Sequence, residues 1–275
     1  MIDFTNFSTI ATPKTIADIA FESKHDAQLM QSITSGSFGF PGGGTNGILL
    51  HGKYGAGKST AATLIPDALE ATSIGMNSHS RNMFRIMSNN NGVGLLNQID
   101  NMCSFVSLSD DKYQYFILDE VDNLSAAAMP QLKSIMDSHM NRAVFIMTTN
   151  HRSKVDPAVV SRSHVFGFNK VPPDAWLPSM QRVLAAYGIT NMSNSQLLSA
   201  AASINGSGRQ FATCVKQLIN GYYEMFPHLV PPHLLLPNVN SLPITVAQPK
   251  PVLPAIAPTL PSQIATPLSP TQATP

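Results

Sequence analysis

Eight consecutive positions, Gly52 to Ser59, carry the pattern Gly-x-x-x-x-Gly-Lys-Ser. Glycines at both ends let successive backbone N–H groups turn inward around an anion, the lysine adds a point charge, and the hydroxyl suits a hard cation. The chemistry this spacing supports is binding of a nucleotide triphosphate with Mg²⁺. Gly52, Lys53, Tyr54, Gly55, Ala56, Gly57, Lys58, Ser59 and Thr60 are the expected nucleotide-binding residues. Lys58 is expected to reach the β and γ phosphates, and Ser59 to ligate the metal. Asp119 and Glu120 follow the apolar run Tyr115-Phe116-Ile117-Leu118. Asp119 would hold the metal through water and Glu120 would polarise the attacking water, because adjacent acids leaving a strand point in different directions. The competing reading is a capping pair for the next helix, a task that Asp122 and Asn123 can perform without them.

Three further residues extend the set. Asn150 closes the run Ala143 to Thr149 and is placed to touch the γ-phosphate or orient water, although asparagine is also an ordinary turn residue. Arg162, in Val159-Val160-Ser161-Arg162-Ser163-His164, is either a solvated arginine or a finger that reaches the γ-phosphate of a neighbouring subunit. Asp156-Pro157 would start the short helix that presents it. Arg209 follows Asn205-Gly206-Ser207-Gly208 and opens a helix, where a cation opposes the helix dipole. A bound triphosphate would compensate it; solvent is the alternative.

The elements that must position these residues are legible as patterns. Ile48-Leu49-Leu50 is a short buried strand running into the glycine loop, and Ala61 to Leu69 follows as a helix in which Pro66 predicts a kink or early stop. A helix is expected near Leu95 to Cys103, strands at Tyr115–Leu118, Ala143–Met147 and Val165–Phe168, and a helix at Ala126–Ser138. Strand, glycine loop, helix, then strands ending in polar residues is the layout of a parallel α/β sheet, whose ligands bind at the carboxyl ends of the strands. After Val171-Pro172-Pro173, helices at Leu177–Tyr187, Asn194–Ser203 and Arg209–Asn220 predict a small helical lid. The expected division is a nucleotide-binding core over 1–171, a lid over 172–225 and a Pro-rich tail over 226–275. Of the 21 prolines, 13 lie in that last stretch, which holds one basic residue, Lys250, and no acid.

The 17 basic and 16 acidic side chains give a formal charge of +1, which excludes bulk electrostatic attraction to nucleic acid. Charged residues are only 12% of the chain, against about 25% in ordinary soluble domains. Any DNA contact must then come from a local patch or an assembly. Arg81, Arg85 and Lys112 in the 76–112 insert are candidates, equally readable as solvated side chains. No apolar run reaches the roughly 18 residues of a membrane span, and the N-terminus lacks a basic segment followed by an apolar core. Cys103 and Cys214 have no metal spacing. The expected location is cytoplasmic, with no membrane partner.

Taken in order, these motifs resemble the AAA+ ATPases, and more closely the ATPase subunits of DNA-polymerase sliding-clamp loaders. Gly52–Ser59 is their Walker A loop. Leu118-Asp119-Glu120-Val121-Asp122-Asn123-Leu124 is similar to Walker B, Thr148-Thr149-Asn150 to sensor 1, Ser161-Arg162-Ser163 to a Ser-Arg-Cys finger motif with Ser163 replacing the cysteine, and Gly206-Ser207-Gly208-Arg209-Gln210 to the sensor 2 region. Pro13-Lys14-Thr15-Ile16-Ala17-Asp18-Ile19 resembles the segment that helps form the adenine pocket. Ala128 to Lys133 resembles the following helix, with a glutamine absent where Met129 or Pro130 stands. The resemblance implies ATP and Mg²⁺ held between core and lid by Lys58, Ser59 and Asp119. It implies Glu120, Lys58, Asn150, Arg162 and Arg209 as the catalytic set. It further implies a homo- or hetero-oligomer joined through Arg162 in trans, whose ATP-bound arc opens a sliding clamp and grips primer–template DNA. The helical collar domain usual in that family is expected to be missing, because the Pro-rich stretch stands where it would begin. A helicase loader or initiator ATPase is the alternative within the superfamily. A scaffold with a vestigial site would not keep Lys58, Asp119 and Glu120, and a small-molecule kinase would not need Asn150, Arg162 and Arg209 together.

Overall fold

The computed structural model describes residues 2–70, 81–87, 89–105 and 113–235. Lys112 and the tail from 236 onward lie outside the described residues, as does the side chain of Arg81. In chain order the helices are α1 (Phe7–Ala11), α2 (Lys24–Thr34), α3 (Lys58–Glu70), α4 (Val93–Ser104), α5 (Ala128–Ser138), α6 (Pro157–Val160), α7 (Leu177–Ala186), α8 (Asn194–Ala201) and α9 (Gly208–Met225). The strands are β1 (Gly47–His51), β2 (Arg81–Arg85), β3 (Gln114–Asp119), β4 (Ala143–Thr149) and β5 (Ser163–Gly167).

All five strands are parallel, in the order β2-β3-β4-β1-β5. The central strands carry apolar runs, Ile48–Leu50, Tyr115–Leu118 and Ala143–Met147, because both faces are covered. Alternate residues serve opposite sides, as the two-residue strand period requires. Ile48, Leu50, Tyr115, Ile117, Val144 and Ile146 pack with Met30 and Ile33 of α2 and Ala61, Ala62 and Ile65 of α3. Leu49, Phe116, Leu118, Phe145 and Met147 face the other way, onto Leu96 and Ile99 of α4 and Leu132, Ile135 and Met136 of α5. The fold is thus the expected α/β nucleotide-binding core with a helical lid.

The early stop that Pro66 allows does not occur, and α3 continues to Glu70; Ile65 and Pro66 are buried, and their packing outweighs the one hydrogen bond that proline cannot donate. The Asn- and Ser-rich insert also contributes an edge strand, β2, whose sequence Arg-Asn-Met-Phe-Arg has no apolar run to reveal it. Pairing with the apolar β3 makes it a strand.

The lid helices enclose a separate apolar cluster in which Trp176 stacks on Phe211 at 5.2 Å between centroids. The same cluster also takes Phe7 from α1 and Leu234 from beyond α9. The backbone N–H of Asp3 donates to the Leu234 carbonyl at 2.6 Å. Packing against the lid therefore includes residues about ten positions past 225, and the extreme N-terminal residues pack with the lid helices. No helix among the described residues is long and apolar enough to cross a membrane.

Candidate functional site

The loop between β1 and α3 brings the phosphate-binding residues to the carboxyl end of the sheet. Its shape needs glycine: Gly57 has φ +95°, and a Cβ on Gly52 would meet the Phe168 backbone at 2.9 Å. Lys58 is buried. Its Nζ donates to the carbonyls of Gly52 and Lys53, both at 2.8 Å, and to Oδ1 of Asn150 at 2.9 Å. Burial pushes its pKa down, and the carboxylates of Asp119, Asp122 and Glu120 oppose that shift.

Asp119 ends β3 beside this lysine. Ser59 Oγ donates to Asp119 Oδ1 at 2.8 Å, and Thr148 Oγ1 donates to the same oxygen at 2.6 Å. Thr148 also accepts from the Glu120 backbone N–H at 3.0 Å, so one buried hydroxyl fixes both members of the acid pair. Glu120 has φ +62°, and no other non-glycine residue among those described has a positive φ. Its carboxylate faces Arg85, whose Nη2 lies 3.3 Å away, and receives the amide of Asn123 at 3.3 Å. Arg85 is thus a partner of the second acid, a role that the sequence reading did not give it. The register explains why: Arg85 stands opposite Asp119 across β2 and β3. Asp122 does not cap α5. Its Oδ1 accepts from Thr149 Oγ1 at 2.9 Å and from the Asn150 N–H at 3.4 Å, which steadies the turn carrying Asn150.

The donor set suits Mg²⁺. Ser59 and Asp119 offer two hard oxygens at the foot of the phosphate loop, and such an ion takes few protein ligands, completing its shell from phosphate and water.

The lid touches the loop directly. The Gly208 N–H donates to the Gly55 carbonyl at 2.9 Å, and Arg209 Nε lies 3.4 Å from where a Cβ on Gly55 would stand. A cavity of about 550 Å³ continues from the phosphate loop between Pro13, Asp18 and Ile19 on one side and Trp176, Phe211 and Lys216 on the other. The sequence reading missed Trp176, Phe211 and Lys216, because only the folded lid carries them to the loop.

Arg162 stands apart. It precedes Ser163, which pairs with Gly47 at the start of β1, whereas the phosphate loop leaves the far end of that strand. About 15 Å of strand separates it from the site of its own chain. Its Nη2 donates to Asp137 Oδ2 at 3.0 Å, its Nε to Oδ1, and its Nη1 to the Ala158 carbonyl at 2.8 Å. Arg162 beside it holds the Asp137 carboxyl below the usual carboxylate range. Asp156 caps α6, accepting from the Ala158 N–H at 2.7 Å, as the Asp-Pro pair predicts.

The phosphate loop and the lid arginine line one cavity on a parallel sheet of this strand order, and Asp119 is bonded to that loop through Ser59. The model of the ATPase family associated with various cellular activities matches residues 48–169, from β1 to just past β5. This chain carries an AAA+ ATPase domain. That domain is related to the small subunits of replication factor C clamp loaders. The chain is 27% identical over 144 residues to the replication factor C small subunit of Methanoculleus marisnigri, covering 52% of this chain and 44% of that protein. It is 26% identical over 211 residues to replication factor C subunit 4 of Caenorhabditis elegans, covering 74% and 60% respectively. The chain spans about half the length of the curated relatives it matches. Among solved structures, the Thermotoga maritima RuvB Holliday junction branch migration motor superposes with a TM-score of 0.53 at 14% identity, covering 80% of this chain and 67% of that one. At that identity it shows the shared AAA+ fold. The domain is of the ATP-hydrolysing AAA+ type.

Proposed function

We propose that the AAA+ domain is the motor of a multi-subunit remodeller, in which ATP bound by one chain is hydrolysed with the help of Arg162 from the next. The observation that carries this reading is the separation of Arg162 from the loop of its own chain, while Lys58, Ser59 and Arg209 line the cavity and Asn150 and Asp119 bond to Lys58 and Ser59. Lys58 exchanges two backbone carbonyls for the β and γ phosphates. Ser59 and Asp119 hold Mg²⁺, which neutralises charge on the phosphate oxygens. Glu120 polarises the attacking water once its carboxylate leaves Arg85, and Asn150 orients the γ-phosphate. Arg209 meets the same phosphates from the lid, so loss of the γ-phosphate changes the angle between lid and core. Arg162 exchanges Asp137 for the neighbour's γ-phosphate, which makes turnover report on assembly.

The macromolecule being moved is the finer question. Opening a sliding clamp on primer–template DNA is one version, favoured by the names of the sequence relatives and by Ser161-Arg162-Ser163. A helicase loader, an initiator or another DNA remodeller would use the same site. Arg162→Ala tests the shared core of these readings. ATP affinity is expected to stay within about twofold while assembly-dependent turnover falls by at least roughly a hundredfold. An equal fall in affinity and turnover would place Arg162 in its own chain's site and refute the trans role. ATPase stimulation by primed DNA plus a clamp, and not by single-stranded DNA plus a helicase, would select the clamp-loading version.

A further inference from the structure

Every nitrogen of the Arg162 guanidinium has a partner in its own chain. Nε and Nη2 fork onto the two carboxylate oxygens of Asp137, and Nη1 donates to the Ala158 carbonyl. The arginine side chain is only 22% exposed. An Nε–Nη2 edge matches two oxygens of a carboxylate or of a phosphate, so Asp137 and a phosphate compete for it. Asp137 also has a second cation. Lys133, one turn earlier on α5, places Nζ 3.0 Å from Oδ2, the same oxygen that Nη2 of Arg162 meets. Asp137 needs such partners, because it stands in the last turn of α5, where a carboxylate opposes the helix dipole. Arg162, and after it Lys133, hold its carboxyl below the usual carboxylate range. With the arginine gone, Lys133 and Asp137 remain a neutral pair. With both cations gone, a bare carboxylate is left at a helix C-terminus.

We propose that Asp137 is a rest site for the arginine finger, and that Lys133 is the stand-in cation that lets the finger leave it. This rests on the trans role of Arg162 proposed above. Both are positioning residues, acting through Arg162. Asp137 holds the fork closed until a neighbour's γ-phosphate competes for it. Lys133 keeps the carboxylate paired while the arginine is away, which lowers the cost of the exchange. Once the γ-phosphate is lost, Asp137 reclaims the arginine and that contact between chains ends. The pair thereby sets how steeply turnover depends on assembly.

The test follows ATP turnover of the full chain against chain concentration at saturating ATP. In the dilute range few chains are assembled. There the slope of turnover per chain against concentration is proportional to the equilibrium between resting and engaged finger, whether that equilibrium limits assembly or hydrolysis. Asp137→Asn keeps the shape and removes the charge. It is expected to raise the slope about threefold, the scale of an exposed charged contact, and to leave ATP affinity within about twofold. Asp137→Glu keeps the charge and is expected to retain most of the wild-type slope. Lys133→Met is expected to lower the slope about twofold, and to change nothing further once Asp137→Asn is present, because no carboxylate then needs a stand-in. An unchanged slope in Asp137→Asn would overturn the proposal. A lower slope would also overturn it, by making Asp137 a support that aims the finger. An equal effect of Lys133→Met with and without Asp137→Asn would remove the stand-in role. Assembly-dependent turnover that survives Arg162→Ala would instead bring down the trans reading, and this inference with it.

Discussion

Replacing Glu120 should separate stability from turnover. Glu120 is held at φ +62°, ψ +48°, in the left-handed region. An L-residue other than glycine, asparagine or aspartate costs about 1 kcal/mol there. Against that stand a contact to Arg85 at 3.3 Å, with the arginine 61% exposed, and a long hydrogen bond from Asn123. Screened by water, this pair contributes at most about 0.5 kcal/mol. Asparagine tolerates the left-handed region, so Glu120→Asn should gain about 0.5 kcal/mol net. Glycine also removes the strain but raises unfolded-chain entropy by a similar amount, so Glu120→Gly should lie near wild type. Alanine keeps the strain and loses the contacts, so Glu120→Ala should be about 0.5 kcal/mol less stable. Urea unfolding with a common slope measures the series, and the Asn variant should melt about 1–2 °C higher than wild type. All three should lose at least roughly a hundredfold in steady-state ATP turnover. An Asn variant less stable than the Ala variant would refute the strain argument. An Asn variant with normal turnover would remove Glu120 from water activation.

Thr148→Val deletes the hydroxyl that bonds Asp119 and the Glu120 N–H while keeping the buried shape. It should cost about 1–3 kcal/mol in urea unfolding and raise the Mg²⁺ concentration needed for half-maximal turnover. Arg85→Ala frees the Glu120 carboxylate from its contact on β2. If that contact withholds the carboxylate from water, turnover without any partner should rise up to about fivefold, the rate equivalent of about 1 kcal/mol; a fall in turnover would show that Arg85 positions Glu120. His164 packs edge-on against Phe38 at 4.9 Å between centroids, and burial pushes its pKa down. The unfolded chain then binds a proton before the folded one, so stability is full above the ordinary histidine value and falls as pH drops through it. The urea midpoint should drop between about pH 7 and pH 5, and drop less in His164→Gln. Equal drops would assign that dependence to other groups, among them His51, whose pKa burial also lowers.

Much of the site was legible because its determinants are local. The glycine loop is a contiguous run, and β1, β3 and β4 carry apolar runs because both of their faces are covered. Asp119 and Asn150 follow those runs directly. Contacts made across the sheet were less visible. Arg85 meets Glu120 only through the register of β2 on β3, and β2 itself, Arg-Asn-Met-Phe-Arg, has no strand pattern of its own and pairs along β3. Asp122 reads locally as a cap, yet it is drawn to Thr149 and Asn150 on the adjacent strand. Lys216 and Trp176 reach the loop only through the docking of the lid. The reach of the lid's apolar cluster to Phe7 and Leu234 joins residues near the two ends of the described chain, which no local pattern announces.

The central claim is that one chain's phosphate loop is completed by the next chain's Arg162. Mixing two inactive variants tests it most directly. Glu120→Gln keeps the arginine and lacks the water-activating acid; Arg162→Ala keeps the acid and lacks the arginine. Each alone should be nearly inactive. In an equal mixture reassembled with ATP, about one interface in four joins an intact site to an intact arginine, so turnover should recover toward about a quarter of wild type. A mixture no more active than its components, under conditions where the chains demonstrably co-assemble, would contradict the account.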